Sequence, residues 1–235
     1  MSDGFPNKPK ILRGAFVEFG LSLPPLLVVF QFNPLQLTRN RALTFGFPGA
    51  PKADQVSPAS QRTLRRFHGG FSNLTDLQKQ QLVSVQEQTI GFDIRLDATD
   101  KLDEGDTITE QFGIAPQIAT LELMTYPKEE SLLGAAVSAL LGKPKGFSFT
   151  RGANPPMVLF IFGRKRVLPV NINSLNITET EFSTDLNPIR ATVSVNLTVI
   201  EGKSVPFLYS KAMTEAMSVL NLANIADIVN VVVPR

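Results

Sequence analysis

The sequence contains no cysteine and no tryptophan, and only one histidine, His68. Without cysteine there is no thiol nucleophile, no disulfide framework and no thiolate-held zinc or iron–sulfur centre. The redox compartment is therefore left open. One histidine cannot build a His-based metal triad within one chain. Tyrosine is scarce as well, with Tyr126 and Tyr209 the only two. Long apolar runs are also missing. Leu26–Phe30 and Met157–Phe162 are the longest, far short of the roughly 20 residues that cross a bilayer as a helix. Residues 1–13 are polar, carry Gly4, Pro6 and Pro9, and have no apolar stretch of the leader type. The expectation is a chain made and assembled in the cytoplasm without a signal peptide and without direct membrane insertion. Phosphate-cradling motifs are absent too. Gly142-Lys143 is followed by Pro144 rather than Ser or Thr, and neither G-x-S-x-G nor G-x-G-x-x-G occurs.

What is present is a chain of 235 residues with an ordinary 43% of hydrophobic residues, enough to bury a core. The net charge of +2 argues against a protein that coats nucleic acid. That charge is unevenly spread: residues 1–75 carry +6, residues 76–130 carry −8 and residues 131–235 carry +4. Blocks of opposite sign suit docking between copies of one chain or between neighbours. Solvated loops that differ in sign would give the same totals.

Hydrophobic periodicity predicts an α+β chain that is mainly β. Residues 1–10 read as a flexible arm and residues 11–205 as the main domain. Residues 206–235 read as a helical extension, with Ala212, Met213, Ala216, Met217, Leu220, Ala223 and Ile228 on one side. Leu26–Phe32 reads as a buried strand ended by Asn33-Pro34. Residues 46–62, with Pro48, Pro51 and Pro58, read as a long loop. Ser84–Ala98 is expected as one long strand, in which Ile90, Phe92, Ile94 and Leu96 alternate with polar residues. Asp97–Asp106 reads as an acidic loop. Thr107-Ile108-Thr109-Glu110 has capping-box spacing, Gly113 ends that turn, and Ala115-Pro116 starts a helix with Ile118, Leu121 and Met124 inward. A second helix is expected over residues 129–142, its apolar side formed by Leu133, Val137, Leu140 and Leu141. Met157–Phe162 pairs with Val167–Ile172, and a further pair follows, Asn173–Phe182 with Arg190–Ile200.

Each candidate site has a plainer reading. Asp97, Asp100, Asp103, Glu104 and Asp106 offer oxygen ligands for Ca²⁺ or Mg²⁺. Their spacing does not fit a calcium loop, and a solvated turn is the simpler reading. His68 has no nucleophile or orienting group nearby in sequence. Arg62, Arg65 and Arg66 could meet phosphates, but only Phe67 and Phe71 are at hand for base stacking. They read better as subunit contacts, and the apolar side of helix 129–142 either caps the domain core or is buried against another subunit. The N-x-[ST] triplets at Asn73, Asn176 and Asn196 are chance occurrences in a chain without a leader. No cofactor is expected.

Five segments, in order, resemble the contractile injection system tube-protein family. Phe30-Gln31-Phe32-Asn33-Pro34 resembles its FQFNP segment, and Phe92–Asp97 resembles its strand with an acidic exit. Pro155-Pro156-Met157-Val158-Leu159-Phe160-Ile161-Phe162-Gly163 resembles its PP-x-v-x-F-x-W-G element, with Phe162 where Trp is usual. Phe182 with Asn187-Pro188-Ile189-Arg190-Ala191 resembles the turn into its last strand, and Val195–Glu201 resembles that strand's ending. The set spans about residues 11–203.

The resemblance implies a tail-tube-like β-barrel or sandwich with flanking helices. It implies a non-enzymatic baseplate hub that forms a homo-hexameric ring, binds the trimeric spike and the inner-tube protein among other baseplate subunits, and starts tube assembly. Family members often end in a LysM module. Residues 206–235 lack its length and its Tyr- and Asn-bearing pattern, so peptidoglycan binding is not carried over. An inner-tube subunit of the same machine is the alternative. A carbohydrate-binding β-domain would call for surface aromatics, yet the chain has no Trp and only two Tyr, and a hydrolase would need a converging nucleophile and base.

Overall fold

The computed structural model describes residues 12–20, 26–48, 64–126 and 154–221. The expected arm 1–10, helix 129–142 and most of loop 46–62 lie outside these residues. The chain divides into two compact units, Met1–Arg39 with Thr89–Arg235, and Asn40–Gln88.

The larger unit is built on one antiparallel sheet. Its strands are β1 (Ala15–Glu18), β2 (Leu27–Val29), β3 (Leu37–Asn40), β6 (Thr89–Asp97), β7 (Val158–Ile161), β8 (Val167–Phe182) and β9 (Pro188–Val199). The order across the sheet is β2-β1-β7-β8-β9-β6-β3. β6 and β9 pair without interruption from Thr89↔Thr198 to Asp97↔Arg190. The alternation read in the sequence survives on both. Ile90, Phe92, Ile94 and Leu96 are buried with Ala191, Val193, Val195, Leu197 and Val199, while the other face carries Asp93, Arg95, Thr192, Ser194 and Asn196.

The sheet curls, and the reason is aromatic. β6 and β7 stand three places apart in the strand order, about 14 Å along a flat sheet. Yet Phe92 of β6 and Phe160 of β7 stack with ring centroids 5.2 Å apart. Phe16 of β1 meets Phe30 edge-on at 5.2 Å, Phe160 at 5.7 Å and Phe92 at 6.0 Å. Phe16, Phe30 and Phe160 have no exposed surface. Such pairs each add about 0.5–1.5 kcal/mol beyond the area they bury. The apolar face is therefore folded onto itself around a four-phenylalanine centre.

Three short helices follow β6: α3 (Thr99–Asp103), α4 (Thr107–Phe112) and α5 (Ala115–Leu123). Ile114, Ile118, Leu121 and Met124 join the core, so the predicted inner face of α5 is the one buried. The long last helix, α6 (Val205–Asn221), follows β9. Ser210 fixes it to the start of β8: its hydroxyl donates to the Val167 carbonyl (2.6 Å) and accepts from the Val167 N–H (2.9 Å). Of its expected apolar side, Met217 and Leu220 are exposed, while Ala223 and Ile228 lie outside the described residues.

The smaller unit holds β4 (Leu43–Gly46), α1 (Leu64–His68), α2 (Leu74–Gln80) and β5 (Leu82–Val85). β4 and β5 form a two-stranded antiparallel ribbon. Phe67 stacks on Phe47 at 5.3 Å and meets Phe71 at 5.0 Å. Asn73 caps α2, its Oδ1 accepting from Thr75 N–H (2.9 Å).

Four local expectations need correction. Ser84–Ala98 is not one strand: β5 ends at Val85 and β6 begins at Thr89, and the border between the units runs through Gln88. The acidic loop 97–106 contains helix α3. The N-cap position of helix α4 is Asp106 rather than Thr107, and Asp106 Oδ2 accepts the Thr109 hydroxyl (2.6 Å). Val167–Ile172 and Asn173–Phe182 are one strand, β8, with a register shift between Ile172 and Ser174. Asn173, the extra residue there, donates to Asn196 Oδ1 (3.2 Å) and Thr198 Oγ1 (2.6 Å).

Gly113 makes the α4–α5 corner possible. Its φ of +56° and ψ of −129° suit only glycine, and an added Cβ would sit 2.1 Å from the Pro188 carbonyl oxygen. Gly113→Ala is expected to cost more than about 2 kcal/mol, read as a lowered urea midpoint. An unchanged midpoint would contradict this account of the corner.

Candidate functional site

The run Phe30–Pro34 divides its work residue by residue. Phe30 enters the aromatic centre, and its N–H donates to the Gly14 carbonyl (2.8 Å). Gly14 has no side chain because a Cβ there would lie 2.6 Å from the Phe30 ring. Asn33 closes the loop from the other side. Its Oδ1 accepts from Gly14 N–H (2.9 Å) and its Nδ2 donates to the Leu12 carbonyl (2.8 Å). Between them, Gln31 Oε1 accepts the backbone N–H of Asp97 (2.9 Å), 66 residues away. Phe32 and Pro34 face a cleft.

Asp97 is where three of the motif segments meet. It ends β6 opposite Arg190 of β9. Its Oδ2 accepts from Arg190 Nε (2.8 Å), while its Oδ1 accepts from Thr99 N–H (2.8 Å) and from the Thr99 hydroxyl. Arg190 also donates to Glu181 Oε1 (2.7 Å) and to Thr99 Oγ1 (3.2 Å). Partial burial pushes the Asp97 carboxyl up, but the Thr99 and Arg190 hydrogen bonds outweigh it and hold Asp97 below its ordinary value. The same contacts raise Arg190, with the Asp97 hydrogen bond as the largest cause. The Arg190 and Glu181 side chains are 43% and 52% exposed, so water screens this network. Its role is registration: it locks Gln31, the end of β6 and the start of β9 in one geometry.

The cleft beside this junction measures about 740 Å³. It runs between Phe32–Gln36 and the polar face of the sheet, where Asp93, Arg95, Thr180 and Thr192 line it. Asp93 accepts from the Ser194 hydroxyl (2.7 Å).

The remaining motif residues are structural pieces of the same unit. Pro155 is exposed and Pro156 buried just before β7. Phe160 is in the aromatic centre. Phe162 stacks on Phe160 at 5.8 Å, with the Arg166 guanidinium 5.7 Å from its ring centre. Gly163 turns the chain with φ +71°. Tyr209 ties α6 to this turn by donating to the Arg164 carbonyl (2.9 Å). Pro188 is buried, its carbonyl accepting from Ile114 N–H (2.9 Å), and Asn187 Nδ2 donates to the Gln111 carbonyl (2.7 Å).

Arg65 and Arg66 are exposed on α1 in the smaller unit, where His68 touches Gln81 (3.2 Å). Arg62, Leu133, Val137, Leu140 and Leu141 lie outside the described residues. Among the described residues, no group of three or more His, Asp or Glu side chains is placed to hold a metal ion, and no helix is long and apolar enough to cross a membrane.

Sequence reading missed Glu181, Thr99 and Gly14. Glu181 stands opposite Arg190 across the β8–β9 hairpin, but register shifts between Glu179 and Phe182 hide that pairing from simple counting.

Two changes test the junction. Gln31→Ala is expected to destabilise by about 1–2 kcal/mol, since the Asp97 N–H loses its partner, with an unaltered urea midpoint as the contrary result. Asp97→Asn removes a group with a depressed pKa. The stability it contributes is present above the ordinary value of 3.8 and is lost as pH falls through the lower folded value. Wild type and variant should differ near pH 7 and converge in strong acid. A gap that persists unchanged to the lowest pH would contradict the assignment.

No family model and no curated protein matches this chain.

Proposed function

We propose that this chain is a non-enzymatic ring adaptor of a contractile injection machine, joining the trimeric spike to the inner tube and starting tube assembly. The observation that carries the reading is the junction at Asp97. Segments singled out by their resemblance to the tube-protein family, and far apart in sequence, bond to one another there: Gln31 to the Asp97 backbone and Arg190 to the Asp97 carboxylate. Chance matches scattered along a chain have no reason to converge on one junction.

Two features of the sheet support the same reading. β8 is 16 residues long, but β7 covers it only from Val167 to Val170. Beyond that, among the described residues, residues 171–182 pair with β9 alone and leave the other edge free. A free edge in the middle of a domain is a template for another strand, and in the proposed ring the next copy occupies it. Hydrogen bonds are then completed by closure of the ring rather than within one chain. The polar face of β8 and β9, rich in Asn, Ser and Thr, suits the water-filled side of a tube. The adaptor transmits load and matches symmetry, and the curled, aromatic-centred sheet is the stiff element that does so.

The test is the solution mass of the purified chain, alone and mixed with the spike and tube proteins encoded beside it. The expected result is a ring of this chain that holds a spike trimer. A chain that ignores both partners, or that stacks into long tubes by itself, would overturn the adaptor reading.

A further inference from the structure

Among its described residues, the smaller unit leaves most of its apolar side chains exposed. In the β4–β5 ribbon, Leu43 stands opposite Val85 and Phe45 opposite Val83. All four side chains are on one face, and each is about half exposed. Among the described residues of this unit only Phe47 is a buried apolar side chain. A two-stranded ribbon is marginal in water unless a further layer covers its apolar face.

Further uncovered apolar side chains lie on the helices of the larger unit. Ile108 and Phe112, one turn apart on α4, are 60% and 50% exposed, and Leu123 and Tyr126 at the end of α5 are exposed as well. The charges around the two surfaces are opposite. Among the described residues of Asn40–Gln88, Arg41, Arg65, Arg66 and Lys79 outnumber Asp76 and Glu87. Around α3–α5, Asp100, Asp103, Glu104, Asp106, Glu110 and Glu122 face only Lys101. Two ribbons meeting face to face would set like charges together, whereas ribbon on helices sets unlike charges together.

We infer that the β4–β5 ribbon of one copy docks on the α3–α5 surface of a second copy of this chain. The two surfaces differ, so the contact is head-to-tail and leaves a free ribbon at one end and free helices at the other. It deepens the ring reading above, on which it rests for closure, by naming a contact separate from the β8 edge.

A head-to-tail contact has a distinctive test, made on the full chain by native mass measurement over a concentration series. Phe45→Glu with Val83→Glu spoils the ribbon only. Glu104→Lys with Glu110→Lys spoils the helical surface only. Each double variant is expected to associate at least tenfold more weakly than wild type. An equimolar mixture of the two is expected to form pairs, since one supplies an intact ribbon and the other intact helices. Circular dichroism and urea midpoints check that each is folded. If the ribbon variant unfolds, Val85→Thr replaces it. Assembly of both variants as in wild type, a wild type that stays monomeric, or folded variants that do not pair when mixed would each overturn the proposal. A chain that assembles through these faces but ignores the spike overturns the adaptor reading alone. A chain that binds the spike as a monomer overturns this contact alone.

Discussion

The fold depends on four phenylalanines drawn from four separate segments. Phe16, Phe30, Phe92 and Phe160 meet at centroid distances of 5.2–6.4 Å. No two are neighbours in sequence, and two come from strands with two others between them. Burying these rings forces the sheet to curl, and curling places the end of β6 near the chain that leaves β2. The Asp97 junction then becomes possible. A loss at this centre would therefore be felt at the surface network, although that network is itself half-exposed and weak.

The division of labour along Phe30–Pro34 follows from that geometry. One residue is pulled into the core, and the residues beside it are left at the rim with polar atoms that need partners. Gln31 and Asn33 satisfy backbone groups that would otherwise be orphaned at the edge of a curled sheet. Glycine at position 14 gives the Phe30 ring its room. Such a run is a structural clamp, with each polar side chain committed to the backbone of another segment.

Much of this was legible because alternation is a strong signal. β6 and β9 were found with their buried faces, as was the inner face of α5, since each shows a clear period. Breaks and continuities were harder. The gap at residues 86–88 is invisible because Gln86, Glu87 and Gln88 are polar in either case. The bulge at Asn173 shifts the alternation by one residue, which makes one strand look like two. Asp106 and Thr107 are adjacent and both of N-cap type, so the pattern alone does not choose between them. The Asp97 junction was legible as a set of motif residues but not as a network. Its bonds run across 66 and 93 residues, distances at which local pattern carries no information.

Assembly is the thread connecting the free edge of β8 and the half-exposed ribbon, since in the proposed ring each is completed by another chain. The central claim is that this chain starts a tube on a spike. Its most direct test is the rate at which the tube protein assembles, followed by light scattering with a small fraction of this chain and the spike added. The account predicts that the lag disappears and that electron micrographs show tubes with a spike at one end. An unchanged lag, with tube ends free of spike, would contradict it.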